Sequence, residues 1–352
     1  MKFHHERLES LVHSIFTAAG FTDEEAHSIS HHLVESNLAG HDSHGVIRVS
    51  TYIRWLNEGM LKKGSDVEMI VDSDVLALID GQFRFGQVLG ERIVRMGLEK
   101  ADRFGVGIIA LRRGGHVGRV GHWAEMIASA GKIALCFVNT SGLGMLVAPF
   151  GGIDRRLSAN PIAAGLPVPG SDPIVMDIST STIAEGKLQV ARNKGVPVPD
   201  GMIINNAGEP TNEPADFYDP PVGALLSFGG HKGYALGLVA EVLGGALTGN
   251  HCSREGEEQF SQGMLTIVID PARFASEDFY SSDLKRYLEF VKSSRTVTPN
   301  GEILLPGEPE RRTRAQRRKD GVELDNNTWS GLVSVAQELN VPAATIEAAP
   351  LD

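Results

Sequence analysis

The chain has 352 residues, of which 42% are hydrophobic and 22% charged; this ordinary globular usage excludes a disordered polymer and predicts one large domain or two medium ones. Lys and Arg number 33 against 44 Asp and Glu, a net charge of -11, and a diffuse negative surface excludes general nucleic-acid or anionic-membrane partners. Two cysteines, Cys136 and Cys252, cannot build a disulfide framework and read as free thiols of a cytoplasmic protein.

The N-terminus Met1-Lys2-Phe3-His4-His5-Glu6 carries no apolar signal core. Leu8, Leu11, Val12, Ile15 and Phe16 repeat at helical spacing, and Gly20 stops that helix. Thr22-Asp23-Glu24-Glu25 is a capping box opening a second helix with Ala26, Ile29, Leu33 and Val34 on one side. Gly40 ends it, and a third helix is predicted from Asp42 or Ser43 to about Gly59. Beyond residue 68 the period changes. Val75 to Ile79 reads as a strand, Gln87 to Phe104 as a helix closed by Gly105, and Val106 to Leu111 as a strand. The glycine-rich loop Arg112 to Gly118 follows, then a helix from His122 to Ala130 and a strand from Ile133 to Val138. Further strands fit Ala163–Leu166, Ile174–Asp177 and Met264–Asp270, and a long helix fits His231–Leu247. That last stretch is the most apolar, but Glu241 and its glycines break it short of the ~18 apolar residues a membrane span needs. Helices return at Asp283–Val291, Glu310–Arg318 and Trp329–Leu339. The sum is an α/β (α+β) protein with a helical domain made from both chain ends, residues 1–75 joined by 276–352, around an α/β domain of residues 76–275.

Eight of the twelve histidines lie in the first 44 residues. His27 and His31 stand four apart, a spacing zinc sites use. No His-Glu-x-x-His or cysteine pair accompanies them, so they read as surface histidines and no metal site is expected. A histidine-rich metal-dependent hydrolase or lyase is the competing reading from another class. The segment from Gly40 to Arg48 is more informative. If residues 43–56 are helical, His44, Arg48 and Tyr52 share one face. The arginine fork suits a carboxylate, and an imidazole one turn away can exchange a proton with a neighbouring oxygen. A 2-oxo or 2-hydroxy acid holds those two groups that close together; the plain alternative is ordinary polar residues on a helix surface. His116 sits among Gly114, Gly115, Gly118 and Gly121 in a loop between strand and helix, where backbone can approach a ligand.

Gly105-Val106-Gly107 is no dinucleotide fingerprint, because it follows a helix and opens a strand. Candidate anion contacts are Ser158-Ala159-Asn160-Pro161, the strand end Asp177-Ile178-Ser179-Thr180-Ser181, the helix start Gly230-His231-Lys232-Gly233, and Pro306-Gly307-Glu308. The strand end is placed to cap the helix containing Lys187. The charge-dense stretch Glu308–Lys319 reads as a solvated helix face.

Taken together, these segments resemble the type-2 malate/L-lactate dehydrogenases. The likeness is carried in order by His41-Asp42-Ser43-His44-Gly45, Gly114-Gly115-His116-Val117-Gly118, Asn160-Pro161, Val175 to Ser181, Lys194-Gly195-Val196-Pro197, Gly230-His231-Lys232-Gly233-Tyr234 and Leu305-Pro306-Gly307-Glu308. Within that family the chain is most similar to the bacterial hydroxycarboxylate dehydrogenase B type, through Leu38 to Gly45 and Gly195 to Pro199. The resemblance implies a large mixed sheet of non-Rossmann type, NAD or NADP as cofactor, and a homodimer acting on small 2-oxo or 2-hydroxy acids, or on cyclic imino acids. It implies acid/base duty for His44 or His116, with His44 the first choice. Ser43, Arg48, Tyr52 and Thr140 are implied as substrate-side positions. Asn160, Pro161, Asp177, Ser179, Lys232, Gly233, Pro306, Gly307 and Glu308 are implied as cofactor positions. The chain departs from the family pattern at Ser158-Ala159, where many members have Gly-Thr.

Overall fold

The computed structural model describes residues 1–351. Seven strands build the main sheet: β1 Glu68–Asp72, β2 Leu76–Asp80, β3 Val106–Gly114, β4 Ile133–Ser141, β5 Ile162–Leu166, β6 Ile174–Ile178 and β7 Ser261–Ile269. Their spatial order is β1-β2-β3-β7-β4-β5-β6. Only β2 and β3 run parallel, and the other neighbours are antiparallel. The late strand β7 therefore inserts between β3 and β4, a topology unlike the parallel sheet of a Rossmann domain.

Among the described residues, ten helices of ten residues or more accompany the sheet. They are α1 His5–Ala18, α2 Asp23–Leu38, α3 Arg48–Asn57, α4 Gly86–Phe104, α5 Val120–Ser129, α6 Glu185–Lys194, α7 His231–Glu241, α8 Glu277–Lys292, α9 Glu308–Asp320 and α10 Asn326–Glu338. The capping box forms as read: Thr22 Oγ1 accepts from Glu25 N, and Glu25 Oε2 accepts from Thr22 N. Gly105 ends α4 in the left-handed region, φ 86°, and hands the chain directly to β3. The long helix after His231 is α-helical only to Glu241 and continues as a π-helix over Val242–Ala246.

Of four hydrophobic clusters among the described residues, two are large. Leu8, Leu11, Ile15 and Phe16 from α1 and Ile29 and Leu33 from α2 pack with Leu332, Val335 and Ala336 from α10. Each such large apolar side chain, fully removed from water, contributes about 1.5–3 kcal/mol, and eight of the 26 buried residues of this core come from the far end of the chain. The ends are also laced together by the antiparallel pair Lys2–Phe3 and Val322–Glu323. The second core lies on the sheet, where Ala134, Cys136 and Val138 alternate inward from β4 toward Trp123, Ile127 and Ile93. α8 buries none of its residues.

Candidate active site

The predicted helix from Ser43 does not form as one piece. Asp42–His44 make a single 3-10 turn, Gly45 is extended, and α3 begins only at Arg48. The cause is local competition for backbone groups. Asn37 Oδ1 takes Val46 N at 2.9 Å, and Arg48 Nε donates to the Ser43 carbonyl at 2.6 Å. A Cβ on residue 45 would lie 2.2 Å from Asn37 Oδ1, so only glycine fits there. His44 consequently leaves the α3 face that carries Arg48 and Tyr52, yet stays beside it.

What brings the group together is the loop after β3. His116 enters with its ring 5.5 Å from that of His44 and nearly parallel to it, 13° apart. Tyr52, 1% exposed, places its hydroxyl 2.7 Å from His116 Nδ1, and Gln87 Nε2 donates to the same hydroxyl at 2.9 Å. Ser43 Oγ sits 3.1 Å from His44 Nδ1. The loop is fastened beneath. Trp123 Nε1 donates to Val117 O, Arg119 N donates to His32 Nε2, and Val117 N donates to Gln262 Oε1. Gly118, at φ 72°, lies so close to His32 that a Cβ would fall 2.1 Å from Nε2. The other end of the Gln262 amide donates to Thr140 Oγ1 at 2.8 Å, which ties Thr140 to the His116 loop. Nothing local in the sequence marks Gln87, Gln262 or His32 as part of this group.

Charge shapes this cluster. Burial, and after it the positive charge of Arg48, pushes His44 down from 6.5 to about 3. The same two causes, with His44 as a third, hold His116 well below its ordinary value. Burial pushes Tyr52 up to about 12. At neutral pH the free protein thus presents two neutral imidazoles, a neutral phenol and one guanidinium. Among the described residues, Arg48 has only the Ser43 carbonyl as a hydrogen-bond partner, made through Nε, which leaves both Nη groups available to a planar anion.

The second group of predicted residues gathers along the edge strand β6 and its exit. Val175 N donates to Pro306 O, and Gly307 starts α9 against Val175. Asp177 Oδ2 lies 3.5 Å from Arg119 Nε. Ser179 Oγ donates to Ala159 O and lies 2.7 Å from Ser181 Oγ. Asn160, before Pro161, donates through Nδ2 to Glu241 Oε2 at 2.6 Å and Gly237 O at 3.1 Å, both on α7. Lys232 is exposed in the first turn of α7, and Gly233 is buried against Phe228 O. Glu308 Oε2 accepts from Leu305 N, and Glu308 also pairs with Lys292. The strand end does not cap α6 as expected: the N-cap is Ala184, with no side-chain bond, because Ser181 Oγ donates instead to Ile183 O. The N-terminal turn of α6 instead abuts the first group, where a Cβ at Gly186 would meet Ser43 Cβ at 2.7 Å.

The polar groups around the exit of β6 and the start of α7 are of kinds that would fit a dinucleotide. A lysine beside a helix N-terminus suits a pyrophosphate, and hydroxyl and carboxylate oxygens suit ribose. The Arg119 loop joins the two groups, since the same short loop carries His116 to one and Arg119 to the other.

α9 has the expected solvated face, with no buried residue, but its other side is ion-paired: Arg314 pairs with Glu125 and Glu35, Arg318 with Glu35, and Arg317 with Asp42 and the Asn37 carbonyl. Its far end thereby fixes the turn that carries Ser43 and His44. His27 and His31 lie at the surface as read, with side chains 64% and 41% exposed, and both approach Glu9 Oε1, at 3.9 and 3.3 Å. Among the described residues no group of three or more His, Cys, Asp and Glu is arranged to hold a metal ion, and no helix is long and apolar enough to cross a membrane.

Known proteins share this architecture and its sequence. Hydroxycarboxylate dehydrogenase B of Escherichia coli K12 is 38% identical over 99% of this chain and 97% of its own. The solved sulfolactate dehydrogenase of Methanocaldococcus jannaschii superposes with a TM-score of 0.89 at 30% identity, covering 99% of each chain. The delta1-piperideine-2-carboxylate reductase of Pseudomonas syringae superposes with a TM-score of 0.83 at 31% identity, covering 96% of this chain and 100% of that one. With residues 3–333 matching the family description Malate/L-lactate dehydrogenase, the chain belongs to that family of hydroxy-acid dehydrogenases and is an enzyme.

Proposed function

We propose that this enzyme interconverts small 2-oxo acids and 2-hydroxy acids with NAD or NADP as hydride carrier. The observation that carries the reading is the available Arg48 fork beside the stacked pair His44 and His116. A reduced nicotinamide, held by Lys232, Gly233, Asn160, Pro161, Ser179, Asp177 and Pro306-Gly307-Glu308, supplies the hydride when bound. The chain's own residues do the rest. Arg48 grips the substrate carboxylate bidentately, with Ser43, Tyr52 and Thr140 around it. One of the two histidines gives a proton to the substrate oxygen in reduction and removes it in oxidation. The hydrogen-bond chain through Tyr52 supports His116 in that role, with His44 orienting the substrate. Burial, and after it the Arg48 charge, holds both imidazoles neutral; a carboxylate on Arg48 cancels the second of these causes, so substrate binding favours proton uptake.

Similarity to the piperideine-carboxylate reductase supports a second reading, reduction of a cyclic C=N beside a carboxylate, which needs the same fork and the same hydride. A panel of 2-oxo acids and cyclic imino acids, each with NADH and with NADPH, decides both substrate class and cofactor. No loss of reduced-nicotinamide absorbance with any member would refute the proposal.

The same reading takes the enzyme as a cytoplasmic homodimer, with residues 1–75 and 276–352 as its helical domain, corrected for β1, since Glu68–Asp72 pairs into the main sheet. Support for the dimer comes from α7 and the π-turn after it. Leu238, Val239, Val242 and Leu247 are 46–61% exposed there, and an apolar helix left so bare calls for a covering surface.

A further inference from the structure

The Gln87–Tyr52–His116 chain has a direction. Gln87 Nε2 donates to the Tyr52 hydroxyl, so the one hydroxyl hydrogen goes to His116 Nδ1, 2.7 Å away. His116 then carries its own hydrogen on Nε2. The arrangement leaves Gln87 Oε1 buried without a partner, on a residue that is 0% exposed. For His116 to become an imidazolium, Nδ1–H must donate to Tyr52, and the phenol hydrogen must turn to a new acceptor. Half a rotation of the Gln87 amide brings the unpartnered Oε1 to that spot. A side-chain amide offers a donor at one end and an acceptor at the other, so it serves either direction of the chain.

We infer that Gln87 is a positioning residue for the acid/base step: by turning its amide it reverses the hydrogen-bond chain through Tyr52 and lets His116 take up and release a proton. This rests on the reading of His116 as the acid/base group. The other charged or titratable groups facing His116 are Arg48 and Tyr52 from α3, His44 from the 3-10 turn, and His32 from α2. Phe260 closes a further side with an apolar ring. None of these except Tyr52 reaches Nδ1.

The test uses two variants of the full chain with opposite expectations. In Gln87→Glu the carboxylate only accepts and favours the reversed chain. In Gln87→Met nothing accepts the phenol hydrogen. Ring-nitrogen NMR of 15N-histidine protein, with His116→Asn to assign the signals, reports the tautomer and its titration. The pH profile of kcat with NADH or NADPH and oxaloacetate or pyruvate reports the chemistry. The expected result is a His116 midpoint raised by about one pH unit in Gln87→Glu, a tenfold gain in proton affinity, and lowered in Gln87→Met. The kcat limb should move with it. Adding Tyr52→Phe to Gln87→Glu should abolish the shift. A purely structural role moves both variants the same way, and that result, or no movement in either, overturns the inference. If the NMR midpoints diverge as expected while the kcat limb stays fixed, the hydrogen-bond chain stands and the acid/base assignment of His116 falls.

Discussion

Glu125 offers a quantitative test of the ion network that braces the site. It accepts from Arg314 Nη1 and Nη2 at 2.9 and 3.0 Å and from Arg119 Nη1 at 3.1 Å, with its side chain 19% exposed. Burial pushes this carboxyl up, but the Arg314 hydrogen bonds and the Arg119 charge overcome that and hold it at about 2, against an ordinary 4.5. The difference corresponds to about 3 kcal/mol of stability. The perturbation is Glu125→Gln, which keeps the shape and removes the charge. Breaking a buried ion pair costs ~3–5 kcal/mol when the partner is left alone. Here Arg119 keeps Asp177 at 3.5 Å and Arg314 keeps Glu35 at 3.0 Å. The expected loss at pH 7 is therefore about 2–3 kcal/mol. The sign follows from a depressed carboxyl: its contribution is full above the unfolded value of 4.5 and is lost as pH falls toward 2. By pH 3.5 about 1.4 kcal/mol of the gap between wild type and variant should have closed. Urea unfolding of both proteins at pH 7 and pH 3.5, at one protomer concentration, measures this. A gap below about 1 kcal/mol at pH 7, or one that does not narrow in acid, would refute the reasoning.

Three further outcomes are expected. Arg48→Ala should mainly raise KM, since a bidentate charge-assisted contact is lost, whereas His116→Ala should mainly lower kcat by roughly 10²–10⁴-fold with cofactor binding retained; steady-state kinetics with fluorescence titration of NADH separates them, and a near-normal His116→Ala beside a dead His44→Ala returns the acid/base role to His44. NADH or NADPH at ~100 times its dissociation constant should stabilise the fold by about 2.7 kcal/mol, read as a rise in melting temperature; no shift with either, in folded protein, removes the cofactor reading. Light scattering at micromolar concentration should give twice the 37.8 kDa chain mass, and Leu238→Glu with Val239→Lys should reduce it to the monomer; wild-type protein that is already monomeric contradicts the dimer.

The elements were largely legible because their signals are local. The α1 apolar stripe, the Thr22 capping box and the Gly105 stop each act within one or two turns of chain. The site was legible only in part. His44, Arg48 and Tyr52 were read as one helix face, but the helix begins at Arg48 because Asn37 and the Arg48 side chain claim the backbone groups that would have extended it. The meeting of Tyr52 with His116 spans 64 residues, and that of Gln262 with Thr140 spans 122; no periodicity records such distances. The same holds for α9. Its run of arginines looks solvated until Glu35, Asp42 and Glu125, about 190–280 residues earlier, are placed beside it. What the linear pattern conveys is which faces are apolar. What it omits is the identity of the polar partner across a fold.

The lacing of Lys2–Phe3 to Val322–Glu323, with α1 and α2 packed on α10, sets an order of events during synthesis. The apolar faces of Leu8, Leu11, Ile15 and Phe16 leave the ribosome first, yet the residues that complete their core are among the last translated. At ~5–20 residues per second the wait is roughly 15–65 s. The sheet has a different timetable, because β7 is made well before α10, so it can close around Ala134, Cys136 and Val138 while the first helices still lack their cover. Newly made chains therefore pass through a period in which a finished sheet carries an open, sticky helical pair. A nascent-chain arrest at residue 320, with β7 clear of the ribosome and α10 not yet made, should trap that species as one that binds a hydrophobic dye and is cut by protease within residues 1–60, while the sheet resists.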